Sequence, residues 1–130
     1  MDLKYFEHVA KRGFFRPVAV VTFPQAVSMC AEAMRYARSI NLTELLVNTN
    51  GLTGFAPPDV FARYEMVGQW VPSAGAVLKV AMVARPELMD PQKIGVVMAQ
   101  NRGIAAEVFT NEPAAIAWLD AHPGAGSNKT

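Results

Sequence analysis

The apolar and polar positions of the chain alternate between short runs of strand character and longer stretches with helical spacing. Residues 17–23, PVAVVTF, are β-branched and apolar and predict a strand. Pro17 belongs at its start, because proline has no N–H to give to a sheet ladder. The preceding YFEHV can pair with that run through a turn at Lys11-Arg12-Gly13, and residues 3–11 also fit a helix. From 25 to 39 the period changes. Val27, Cys30, Ala31, Met34 and Ala37 recur every three or four positions, with Glu32, Arg35 and Arg38 between them, which predicts an amphipathic helix. Leu45-Leu46-Val47 reads as a short buried strand.

Val60, Phe61, Tyr64, Val67 and Val71 predict the inward stripe of a second helix. Pro57 and Pro58 suit its start, Asp59 lies in its first turn, and Pro72-Ser73-Ala74-Gly75 breaks its pattern. Val77 to Ala84 is the longest strand candidate. Asp90-Pro91 opens a third helix with Ile94, Val97 and Met98 inward, and Gly103 ends it. Ile104 to Phe109 is the last strand, and Glu112-Pro113 opens a final helix carrying Ala115, Ile116 and Leu119 with Trp118 beside them. Strands alternating with helices predict an α/β fold with a mostly parallel sheet and right-handed crossovers. The chain reads as one domain over residues 1–122, with a small, polar, disordered tail at 123–130.

At 130 residues, one domain can bury enough surface to stand without a metal or disulfide staple. Apolar residues make up 52% and charged residues only 18%. That balance fits a surface patch covered by a partner or a second copy, and equally fits an alanine- and valine-rich core. The net charge is +1, and only Lys11, Arg12 and Arg16 cluster, so the basic stripe that nucleic acid requires is missing. The single cysteine, Cys30, excludes an internal disulfide and falls on a predicted apolar helix face. No segment reads as a signal peptide or membrane span, which points to a cytoplasmic protein.

Candidate chemistry concentrates in ELLVNTNGLTGFAPPDVFARY, residues 44–64. A loop that follows a strand and precedes a helix lies where open α/β sheets bind ligands. Asn48, Thr49, Asn50 and Thr53 offer hydrogen bonds, Gly51 and Gly54 permit close backbone approach, and Asp59 stands at the helix start. The same residues also describe a plain turn, and both readings stand. Residues 48–57 hold no lysine or arginine and lack a P-loop ending, which argues against a phosphate site. His8 and His122 lie near opposite ends without helpers, and the acids are scattered without an obvious pair. Cys30 lacks a neighbouring base. The methionines fall mostly on core stripes, with Met66 and Trp70 also able to form an adhesive patch.

Three stretches, PVAVVTFPQAVSMCAEAMRYA, ELLVNTNGLTGFAPPDV and AAEVFTNEPAAIAWL, resemble the STAS superfamily and, within it, the SpoIIAA-like (STAS/SEC14-type) proteins of bacteria. The resemblance spans about residues 3–121. It implies a four- or five-stranded mixed sheet with about four helices, largely on one face, and a non-enzymatic role in signalling, with a partner protein and phosphorylation of a serine at the start of the helix after the second central strand. Here that region, Gly54 to Asp59, contains no serine, and Thr53 is the nearest hydroxyl. The reading is therefore a regulatory or protein-interaction domain without catalytic residues, metal or cofactor, with a protein partner or homodimer. The alternative is a small-ligand domain for a nucleotide, flavin or lipid, using loop 48–57.

Overall fold

A computed structural model describes residues 3–75, 77–88 and 93–121. Strand β1 (Phe6–Val9) turns back into β2 (Arg12–Phe15), and a two-residue strand, β3 (Ala19–Val20), leads into helix α1 (Phe23–Ser39). There follow β4 (Glu44–Asn48), a second two-residue strand β5 (Leu52–Thr53), α2 (Val60–Ala74), β6 (Lys79–Val83), α3 (Ile94–Asn101), β7 (Ala105–Phe109) and α4 (Glu112–Ala121). The main sheet has five strands in the order β1-β2-β4-β6-β7; β1 is antiparallel and the rest are parallel. This is the mixed, mostly parallel α/β architecture that the alternation predicts.

The topology follows from handedness. Each parallel strand is added on the same side of its predecessor, so crossovers of one hand place α1, α2 and α3 on the same face. That face holds the larger core, with Cys30, Met34 and Ala37 against Leu45, Val47 and Val80. The chain then passes β7 and lays α4 on the opposite face, where Ala115 and Leu119 pack on Leu46, Ala81 and Val83. Alternation along a strand explains the split: Leu45 and Val47 face three helices, and Leu46 between them faces one. Leu45, Leu46 and Val47 are each fully buried.

Helix α1 begins with a capping box. Thr22 Oγ1 accepts from the Gln25 N–H, and Gln25 Oε1 accepts from the Thr22 N–H. Its inward stripe is the one the periodicity predicts, with Val27, Cys30, Ala31, Met34 and Ala37 all buried.

Several local expectations change, Val97 of α3 among them, which is exposed rather than inward. Of the two readings of residues 3–11 the strand holds, but it pairs with Arg12–Phe15 rather than with the 17–23 run, and the hairpin turns at Ala10-Lys11, with Val9 opposite Arg12. Gly13 lies inside β2 rather than in a turn. A Cβ there would sit 2.7 Å from the ring of Phe6 and 2.9 Å from Leu42, so the glycine makes room for an aromatic across the strands. The run 17–23 is not a main-sheet strand. Val18 and Val20 are 62% and 83% exposed, and only Ala19-Val20 pairs, with Leu52-Thr53; Phe15, buried in β2, supplies the apolar anchor instead. Helix α2 is rotated from the expected stripe. Val60, Phe61 and Tyr64 are exposed, whereas Val67 and Ala74 are buried and Trp70 and Val71 pack on the core. It also runs through Pro72 to Ala74. The Asp90-Pro91 helix start, His122 and the tail at 123–130 lie outside the described residues.

Candidate functional site

The loop after β4 runs from the carboxyl edge of the sheet, and the side chains of Asn48 and Thr49 and several of its backbone carbonyls are used within the fold. Asn48 and Thr49 diverge, as neighbouring residues at a strand end should. Asn48 points to the α4 face, where its Nδ2 donates to Glu112 Oε2 at 2.7 Å, and its Oδ1 accepts from the Asn50 N–H at 2.9 Å. Thr49 donates both its N–H and its hydroxyl to the Val83 carbonyl, each at 2.8 Å. Arg85 donates to the carbonyls of Asn50 and Leu52. The Thr53 carbonyl accepts from Val21 N–H at 2.7 Å, and the Gly51 carbonyl from Ala19 N–H at 3.1 Å.

Gly51 and Gly54 are the points of close approach. A Cβ on Gly51 would lie 2.5 Å from the Pro17 carbonyl oxygen, and one on Gly54, where φ is +104°, would lie 2.8 Å from that of Val21. What they admit is the backbone of residues 17–21. Asp59 caps α2, its Oδ1 accepting from the Ala62 N–H at 2.8 Å. The seven residues singled out by sequence therefore do not converge on one point. Thr49 reaches the cavity described next, Asn48 turns to the other face, Asn50, Gly51, Thr53 and Gly54 stitch the loop down, and Asp59 starts the helix.

The loop instead contributes an apolar wall. A cavity of about 160 Å³ lies between the three-helix face of the sheet and helices α1, α2 and α3, and Leu52, Phe55 and Pro58 of the loop line it. Phe55 is held edge-on against Phe23 at 5.8 Å between ring centres. Met34 from α1, Met66 and Trp70 from α2 and Met82 from β6 form much of the remainder. The Trp70 indole N–H donates to the Val27 carbonyl at 2.9 Å, which fixes the ring and satisfies its polar atom. Cys30 also lines the cavity. Burial pushes its thiol up to about 12, so it stays protonated and acts as a small apolar wall residue.

Three charged residues border the cavity: Arg63, Lys93 and Glu107. Lys93 Nζ lies 3.2 Å from Glu107 Oε1, which also accepts from the Val108 N–H, so this pair clips the edge of β7. Arg63 donates to the Leu88 carbonyl at 3.1 Å and has no carboxylate partner among the described residues. Sequence reasoning missed Arg63. Its signal was a cation four residues before Val67 and seven before Trp70, on the stripe that faces inward.

The remaining charge clusters are structural. Arg16 grips Glu112 with two nitrogens, Nε at 2.8 Å and Nη2 at 3.0 Å, and reaches Glu7 at 3.2 Å. The hydrogen bond from Arg16, with a further one from Asn48, holds the Glu112 carboxyl below its ordinary range despite partial burial. Arg12 bridges Glu44 at 2.7 Å and Asp120 at 2.9 Å. Two of the three cations that cluster in the sequence are thus tied to carboxylates. His8 is exposed on β1. No group of three or more histidine, cysteine, aspartate or glutamate side chains able to hold a metal occurs among the described residues. No helix among them is long and apolar enough to cross a membrane.

No protein-family profile matches the chain, and no curated protein matches it. Among solved structures it is similar to one described as "Structure of the Anti-Sigma Factor Antagonist SpoIIAA in its Unphosphorylated Form", at 16% identity over 89% of this chain and 95% of that one, with a TM-score of 0.41. At that distance the similarity does not bear on what this chain binds or does.

Proposed function

We propose that this chain is a non-enzymatic regulatory module that holds a small apolar ligand between its sheet and helix α2. The observation that carries this reading is the apolar cavity of about 160 Å³, with the 48–57 loop as part of its wall. An engineered apolar cavity of about 150 Å³ binds benzene, so a single ring or a short alkyl group suits this volume. A flavin or a nucleotide is far larger and more polar than such a space favours. Paired carboxylates and a protonated Cys30 support a binding role over catalysis.

Trp70 provides the assay, because it is fixed on the cavity wall. The chain has two tryptophans, and Trp118→Phe leaves Trp70 as the sole reporter. Titration with toluene should shift its emission saturably, with a Kd of roughly 0.1–1 mM for so small a ligand. It should also raise the melting temperature as bound ligand favours the folded state. An emission spectrum and a melt that both stay unchanged through saturation with toluene would refute the reading.

A partner-binding role has its own support. Phe61 is 78% exposed at the start of α2, with Val60 and Tyr64 exposed beside it. In this reading the patch meets a protein partner or a second copy. Light scattering should then report a dimer that Phe61→Asp dissociates; a monomer at all concentrations removes the second copy.

A further inference from the structure

We infer that the ligand class of this cavity is a small aromatic carboxylate, with its ring inside and its carboxylate on Arg63. The inference rests on the cavity reading above and specifies it. Volume sets the first limit, since about 160 Å³ takes one ring and little more. Charge sets the second. Of the charged residues described at the border, Lys93 and Glu107 neutralise each other at 3.2 Å, which leaves Arg63 among them as the positive centre facing a ligand. Arg63 is half-buried as a residue and anchored through Nη2 to the Leu88 carbonyl, so it is held in place with other N–H groups still to donate. A planar guanidinium matches a carboxylate through paired hydrogen bonds, and partial burial strengthens that match.

Lys93 stands at the same border, its charge paired. It sits in the left-handed region at φ +52° as the N-cap of α3, with no side-chain capping bond. A non-glycine residue in that conformation is strained, and a cation at a helix N-terminus is disfavoured. The fold nevertheless keeps a positive charge there, clipped to Glu107, beside the cavity that Arg63 borders. Among the described residues, the border bears two cations and one anion, an excess of one positive charge that complements one carboxylate.

The test compares phenylacetate with its neutral amide, phenylacetamide, and with toluene, by calorimetry and Trp70 emission at pH 7. Wild-type protein should bind phenylacetate on the order of tenfold more tightly than the amide, the value of one charged hydrogen-bonded contact. Arg63→Gln should abolish the preference while leaving toluene binding intact, and Arg63→Lys should restore part of it. The melting curve of each variant establishes that it is folded, and the wild-type acid-to-amide ratio needs no variant. Equal affinity for acid and amide, or a preference that survives Arg63→Gln, overturns the carboxylate assignment while toluene binding upholds the cavity. Binding of none of the three overturns both.

Discussion

Gly54→Ala isolates what the 48–57 loop does. A methyl at this position would lie 2.8 Å from the Val21 carbonyl oxygen, 2.9 Å from Val20 Cγ1 and 3.1 Å from the Val21 nitrogen, on a residue whose φ is +104°. Two of those three atoms belong to the backbone, so no side-chain rotation relieves the contact. Positive φ costs alanine about 1 kcal/mol or more, and overpacking typically costs about 1–3 kcal/mol. Pushing the segment away stretches the Val21 N–H bond to the Thr53 carbonyl, now 2.7 Å, which is worth about 1 kcal/mol. These effects overlap, because the same displacement relieves the clash and breaks the bond. Alanine also stiffens the unfolded chain, which returns about 0.4–1 kcal/mol. The net expectation is a loss of about 2–3 kcal/mol, or about 10 °C in Tm for a chain of this size. Urea unfolding followed by circular dichroism measures it, with the slope unchanged. Gly68→Ala is the control. No atom lies within 4 Å of its added methyl, on an exposed face of α2, so it should stabilise by about 0.5–1 kcal/mol. A Gly54→Ala loss below about 0.5 kcal/mol would refute the close-approach argument.

Two further outcomes follow from ionisation. The Glu112 carboxyl is held below its ordinary range when folded, so its contribution is complete above the unfolded carboxylate range and is lost as pH falls through the lower folded value. Acid unfolding of Glu112→Gln should therefore lose part of the pH dependence seen in the native chain, and superimposable stability–pH curves for the two proteins would contradict this. Cys30 is fully buried with its thiol raised to about 12, so thiol reagents at neutral pH should label it only as fast as the core opens, with the logarithm of the rate rising linearly with added urea; prompt labelling of the folded protein would contradict the burial.

Legibility in the sequence tracked the range of the interaction that decides each feature. Helix α1 was readable in its stripe because Cys30, Met34 and Ala37 follow the helical repeat, whereas its cap, Thr22 with Gln25, went unread because Thr22 and Phe23 look like the end of a β-branched strand. Leu45–Val47 was readable as a buried strand because all three residues are enclosed, and apolar character alone reports that. Gly13 misled because its reason is the Phe6 ring on the next strand, which a turn-based reading of glycine does not register. Phe61 and Tyr64 misled because exposed aromatics imitate a core stripe. Within the candidate site, the polar loop residues were the visible part, yet their bonds run to Val83 and Glu112, 34 and 64 residues away. The apolar wall from Leu52 to Pro58 drew no notice because its significance depends on Met82 and Trp70 lying opposite.

The internal space beneath α2 also sets how the protein responds to compression. Unfolding eliminates the enclosed part of such space, and the accompanying volume decrease scales with it, within the usual range of about 20–100 mL/mol for proteins. Each kilobar of hydrostatic pressure then works against the fold by up to about 2 kcal/mol, so a few kilobars offset the stability of an ordinary domain. A ring seated beside Trp70 takes up that volume, and the ligand-bound protein becomes the less compressible and more pressure-resistant form.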